Sequence, residues 1–355
     1  MDSARIRRGV RLFGRILLCA AAIAGGAALA HTTRARTPTS ARTHADATPA
    51  ATHAAVQRTP AEYLAPLEPL PSDAELIAVD VPRDTLGAHV ARGMTITGAT
   101  PHRLILFTFD DGPDRSTTPK LLDRLDAAGV RAVFFLSGSR ILGENKQQRD
   151  QQEVARDAVR RGHIVASHTI NHVALPTLDS EEVVAEVEGN EQIFERVFGA
   201  RPWLFRPPFG VHTDRTDGLL QDRGYTIMLW NLGTGDFQVR TAEEVHTTWR
   251  RVFERRERED GQRGGIVLMH DTHAWSVEAF TLIHDDLMAR NCALYDAGQE
   301  LFDVVDDPSL FFVARGDALA GEEAPPAVLA PDVLAARQAR LRDATQLRCS
   351  ALASR

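Results

Sequence analysis

Thr108-Phe109-Asp110-Asp111-Gly112-Pro113 follows directly on the apolar run Leu104-Ile105-Leu106-Phe107, so two carboxylates emerge where a buried strand ends and a turn begins. In β/α folds the loops at strand C-termini carry the chemistry, because a rigid frame holds them. Adjacent carboxylates repel each other, and a cation beside them relieves the repulsion. The stretch therefore raises two expectations together: a parallel α/β sheet, and a metal site at its C-terminal edge.

Working outward, apolar strands alternate with amphipathic helices. Strands are predicted over 104–108, 132–136, 164–167, 203–206, 226–230 and 265–269. Helices are predicted over 118–128, 153–161, 181–197, 216–223, 242–258 and 277–290. Leu121, Leu122 and Leu125 give the first helix its apolar stripe, and Gly129 stops it. The segment to Phe302 closes the unit. Six or seven such repeats over about 200 residues imply a parallel sheet, open or closed into a barrel.

Four more predicted strand ends carry polar residues. His168-Thr169-Ile170-Asn171-His172 follows the third strand, and two histidines four apart can face one way on a helical turn. With one carboxylate they would make a two-His, one-Asp ligand set. Arg206-Pro207-Pro208-Phe209-Gly210 sets a permanent cation at a strand end, a partner for the acidic pair. Asp236 and the Leu268-Met269-His270 segment supply the last two. The ligand set alone also suits non-haem iron oxygenases, but those use antiparallel jelly rolls with another ligand order.

In this order the motifs resemble the five of the NodB-homology polysaccharide deacetylases, carbohydrate esterase family four, over about residues 100–300. The resemblance implies a distorted (β/α)7-type barrel of parallel strands with helices outside and a divalent metal at its C-terminal face. It implies Asp111, His168 and His172 as metal ligands, Asp110 as general base and His270 as general acid. Arg206 would hold Asp110, Asp236 would orient His270, and the Phe209 backbone N–H would meet the oxyanion. Zinc is the expected ion, since hydrolysis needs no redox change, with cobalt, nickel or manganese as substitutes. The expected substrate is an acetylated polysaccharide: peptidoglycan or a chitin-like chain, then acetylated xylan. A glycan-binding module that kept the barrel without catalysis is the rival, and a structural envelope protein a third reading. The fourth family motif usually reads D-x-x-D-W; here Gly233 and Phe237 replace its first Asp and its Trp, which puts the substrate rather than the reaction in question.

The rest of the chain frames this domain, read as residues 101–305. The net charge of −7 argues against a nucleic-acid partner. Residues 1–30 read as a signal peptide: Arg5, Arg7, Arg8, Arg11 and Arg15 precede a short apolar stretch ending in Ala28-Leu29-Ala30. That predicts an exported protein, periplasmic, envelope-bound or secreted, touching a membrane only through the signal or an uncleaved anchor. Residues 31–62 read as a disordered Thr/Ala/Pro-rich linker, in which His31, His44 and His53 are polar spacer. Residues 63–100 form a lead-in, and 306–355 a tail with an amphipathic helix over 333–353. The mixed-sign run 250–260 reads as a solvated helix face. Cleavage would leave Cys292 and Cys349, read here as two unpaired thiols because sequence cannot bring them within bonding distance. His163, His212, His246, His273 and His284 are expected to be structural or surface residues. Trp203, Trp230 and Trp275 are core residues or sugar-stacking platforms.

Overall fold

A computed structural model describes residues 83–91, 93–311 and 326–353; the signal, linker and most of the lead-in lie outside them. Among the described residues, nine strands form one sheet in which every pairing is parallel. They are β1 (Thr95–Ile96), β2 (Leu104–Asp110), β3 (Val133–Leu136), β4 (Ile164–Ser167), β5 (Leu204–Phe205), β6 (Thr226–Met228), β7 (Leu232–Gly233), β8 (Gly265–His270) and β9 (Asp303–Val304). Their order is β1-β6-β5-β4-β3-β2-β8-β7, with β9 added on β2. The sheet curls into the distorted barrel that the motif order implies. Among the described residues no helix is long and apolar enough to cross a membrane.

The helices between the strands are α1 (Thr118–Ala128), α2 (Gly138–Ile141), α3 (Lys146–Arg160), α4 (Ser180–Phe198), α5 (Asp214–Gln221), α6 (Ala242–Asp260) and α7 (Ala274–Asp296). Local chemistry sets their ends. Asp179 accepts from the Glu182 N–H while Glu182 accepts from the Asp179 N–H, both at 2.9 Å, a reciprocal cap that starts α4. Asn145 and Gln148 make the same arrangement at α3, which is why that helix begins seven residues before the predicted 153. The charged run on α6 pairs with itself at the surface, Arg250 with Glu254 and Arg256 with Asp260.

Strand alternation divides the core. Leu104 and Leu106 join an inner cluster with Val133, Phe135, Ile164, Ala166, Leu204, Met228 and Ile266. Ile105, Phe107 and Phe109 pack outward against helix residues such as Leu121, Leu125 and Phe280. Because side chains alternate with period two, continuing the inner rows carries β2 to Asp110, β4 to His168, β5 to Arg206 and β8 to His270. The polar residues at the strand ends are thus the top layer of the barrel interior.

Three strands were not expected; one of them, β9, pairs with β2 just past the segment predicted to close the unit at Phe302. β1 pairs with β6 from within the lead-in, where Val90, Met94 and Ile96 join the inner cluster. β7 follows the Trp230-Asn231 turn and pairs with β8. A correction concerns the cysteines: Cys292 on α7 and Cys349 on α8 (Pro331–Ala353) form a disulfide, Cα to Cα 5.8 Å. The fold of α8 back onto α7 brings them together, and nothing local in the sequence signals it. Arg337 also meets Asp303 at 2.6 Å, and Gln338 exchanges two hydrogen bonds with the Leu301 backbone.

Candidate metal centre

Among the described residues, four that are not glycine have left-handed backbones, and all four lie at the C-terminal mouth of the barrel: Asp111 (φ 71), Thr169 (φ 64), His172 (φ 53) and Phe209 (φ 62). Such conformations are sterically unfavourable for residues with a Cβ and gather where function over-determines the backbone. At Asp111 the left-handed turn carries the second carboxylate back over the sheet beside the first.

His168 is buried, and its Nδ1–H donates to the Arg206 carbonyl at 2.7 Å. That bond fixes the tautomer and leaves the Nε2 lone pair directed into the site. His168 and His172 do not share a helical turn, contrary to the reading from their spacing. Residues 168–172 form an irregular loop, and the left-handed residues at 169 and 172 make the rings converge. The two Nε2 atoms lie 3.4 and 3.1 Å from Asp111 Oδ1, and all three candidate ligand atoms lie within 4.8 Å of one another.

The donor set fits a divalent ion. Asp111 Oδ1 is buried yet accepts no well-formed hydrogen bond, although two imidazole nitrogens face it. Burial works against its charge, but the two imidazoles of His168 and His172 facing it hold its carboxyl far below the usual carboxylate range. Two imidazoles and one carboxylate are a borderline ligand set suited to zinc, with positions left open.

Asp110 lies one step deeper. Arg206 Nη1 donates to Asp110 Oδ1 at 2.7 Å and to Thr108 Oγ1 at 2.7 Å, and Thr108 in turn donates to the Val267 carbonyl. The Arg206 Nε donates to the Met228 carbonyl at 2.8 Å, and the guanidinium lies 4.1 Å over the Phe135 ring. Asp110 Oδ2 is 3.8 Å from His168 Nε2, so the second carboxylate oxygen faces the candidate metal position.

Across the site, His270 Nδ1 meets Asp236 Oδ1 at 2.8 Å. The His270 backbone N–H and the Ser276 hydroxyl both donate to Asp236 Oδ2, at 2.7 and 2.6 Å, and Trp275 Nε1 donates to the Asp236 carbonyl. Burial opposes charge on His270, but Asp236 foremost, with Asp110 and Asp111, pushes its pKa up to about 9. Burial likewise opposes ionisation of Asp236, and His270 and Ser276 overcome it and hold its carboxyl low. His270 Nε2 lies 4.0 Å from Asp111 Oδ2.

Two exposed rings flank these groups. Phe209 stands edge-on to His172 with centroids 4.6 Å apart, and Phe237 edge-on to His270 at 5.9 Å. His273 stacks on Trp275 at 4.6 Å beside them, so Trp275 stands at the rim. Trp203 lies under Arg201, and Trp230 packs on the inner cluster.

The structure therefore brings Asp110, Asp111, His168, His172, Arg206, Asp236 and His270 together as one candidate site, with Phe209 on its rim. Sequence reasoning missed Thr108, Ser276, Asp271 and Glu186. Asp271 lies fully buried against Gly112, where a Cβ would come within 2.2 Å of its carboxylate, so residue 112 must be glycine. Burial, against Thr118 and Arg140, pushes its pKa up to about 7. Glu186 had a readable signal: with Asn190 it falls on the helix face of Val183, Val187 and Phe194, where polar residues need a reason.

Residues 97–228 match the family described as polysaccharide deacetylase. A chitin deacetylase of Colletotrichum lindemuthianum is 30% identical over 216 residues, 61% of this chain and 86% of that protein. A solved structure of the chitin deacetylase from that fungus superposes with a TM-score of 0.51 at 29% identity, over 61% of this chain and 94% of the other. A peptidoglycan-N-acetylglucosamine deacetylase of Bacillus cereus is 30% identical over 141 residues, 40% of this chain, and the chain spans about half of that relative's length (49%).

Proposed function

The chain belongs to the polysaccharide deacetylase family, and we propose that it is an exported, metal-dependent hydrolase that removes N-acetyl groups from an amino-sugar polymer of chitin or peptidoglycan type. The observation that carries this reading is the convergence of Asp111, His168 and His172 between two buried acid–base pairs, Asp110 with Arg206 and Asp236 with His270. The disulfide between Cys292 and Cys349 supports export, because such bonds persist in oxidising compartments.

Asp111, His168 and His172 would hold the ion, zinc by default. When bound it would polarise the acetamide carbonyl and ease deprotonation of the attacking water. Asp110 accepts that water's proton, and its hydrogen bond from Arg206 keeps it aimed. The Phe209 N–H supports the developing oxyanion; the neighbouring N–H groups of Gly210 and Val211 are already used inside the turn. His270, protonated at Nδ1 and supported by Asp236, donates from Nε2 to the departing nitrogen. The C–N bond breaks, and acetate and a free amino sugar leave. Phe209 and Phe237 offer apolar faces on which sugar rings can lie.

An O-acetyl ester substrate such as acetylated xylan would use the same groups, and Phe237 in the fourth motif keeps that reading second. The test is acetate release from N-acetylglucosamine oligomers and peptidoglycan after chelation, with zinc added back. Asp110→Asn should abolish release while zinc stays bound. Full activity in that variant would remove Asp110 as the base. Tight zinc binding with no release from either polymer would favour the ester substrate or a binding module.

A further inference from the structure

We propose that Glu186 of α4 is a positioning residue for the metal ligand His172, an inference that rests on the metal reading above. Glu186 is 1% exposed, and the hydrogen bonds that satisfy it come from the loop between the two histidine ligands. Its Oε2 accepts from the backbone N–H groups of Ile170 and Asn171, each at 3.0 Å, and its Oε1 accepts from Asn171 Nδ2 at 2.6 Å. These two consecutive N–H groups lie between the left-handed residues Thr169 and His172. A carboxylate set between them holds the turn in the one shape that points the His172 ring at Asp111.

The other side of the loop is equally anchored. The Gly138 and Ser139 N–H groups of α2 donate to the Thr169 and Ile170 carbonyls, each at 2.9 Å, and the His172 N–H donates to Thr169 Oγ1 at 2.9 Å. Glu186 thus supplies the anionic half of a clamp, and the first turn of α2 supplies the donors. His168 does not need this support, since its Nδ1 is held by the Arg206 carbonyl. The clamp therefore acts on one ligand, the half-exposed His172. A fully buried carboxylate is a costly group to keep for packing alone, and one aimed wholly at a ligand-bearing turn has a reason in pre-organising that ligand.

The test is zinc affinity of the full chain, measured by competition with a chromophoric chelator, beside melting of the zinc-free protein. In Glu186→Gln the amide retains one acceptor oxygen and turns an NH2 toward a donor. Zinc affinity should fall 10–100-fold, as for other partners that orient metal ligands, and excess zinc should restore deacetylation. A lower melting temperature with unchanged zinc affinity would overturn the proposal, for Glu186 would then be structural only. If Glu186→Gln does not fold, Asn171→Ala removes a single donor from a half-buried residue; a several-fold loss of zinc affinity supports the clamp and none overturns it. A wild-type chain that binds no zinc would overturn the metal reading itself, a result distinct from equal binding by wild type and variant.

Discussion

Arg206 meets Asp110 at 2.7 Å in a layer of the barrel where neither side chain has appreciable contact with water. The same arginine offers its backbone carbonyl to His168 Nδ1. One residue thus holds the proposed base through its side chain and a proposed metal ligand through its main chain, which couples the two halves of the site mechanically.

Removing that guanidinium strands a buried carboxylate. Arg206→Met should destabilise the fold by about 3–5 kcal/mol, the cost of breaking a buried pair. Activity should fall by at least ~100-fold through misplacement of Asp110. Arg206→Lys should not rescue it, since an ammonium cannot reach Asp110, Thr108 and the Met228 carbonyl together while lying on Phe135. Denaturation midpoints and kcat/KM measured together check both expectations.

His270 is held protonated up to about pH 9 by Asp236. As the proposed acid it should set an alkaline limb of kcat/KM above the ordinary imidazole range. Asp236→Asn should move that limb downward and lower the rate by about 10²–10⁴-fold. Because the folded pKa lies above the unfolded one, this pair's contribution to stability is complete below about pH 6.5 and fades as pH rises through about 9. An alkaline limb that stays in place in Asp236→Asn would argue against His270 as the acid.

His163 behaves oppositely. It is fully buried, its Nδ1 accepts from the Ala132 N–H at 3.2 Å, and burial pulls its pKa down to about 4. The unfolded chain takes up this proton near pH 6.5, so stability should fall as pH drops from there toward 4. By pH 4.5 the loss specific to this residue should reach about 2–3 kcal/mol. Urea titrations of wild type and His163→Gln at pH 7 and 4.5 should show a smaller acid penalty in the variant.

The disulfide closes a 57-residue separation. Most side chains of α8 are exposed, and Thr345 is the one buried among those described, so apolar burial contributes little to its docking. Reduction, or Cys349→Ser, should cost about 2–4 kcal/mol and open 331–353 to limited proteolysis. Acetate release should persist, because α8 packs on α7 and β9, away from the strand C-termini that carry the site.

Much of the candidate site is legible because parallel strands write their buried faces as continuous apolar runs, and the polar residue that ends each run is conspicuous. Asp110, His168, Arg206 and His270 were found in this way. Glu186 was missed because a glutamate in a helix reads as surface until its register with Val183, Val187 and Phe194 is worked out. Two-residue strands such as β1 and β7 carry no period at all. The HxxxH spacing suggested a helical turn, and the left-handed backbone at Thr169 and His172 replaced it with a loop that aims the rings.

By itself the sequence determined which residues end the inner rows of the barrel, since strand parity is a local property of the chain. It also determined the helix ends, through caps such as Asp179 with Glu182. Tertiary structure alone decided the rest: that Asp111 Oδ1 would face two imidazoles from residues 57 and 61 positions away, that Cys292 would reach Cys349, and that Glu186 would close under the histidine loop. The physical reason is one of range. Period and capping act over a few residues, whereas ligand convergence depends on how the sheet curls, which only the packed whole specifies.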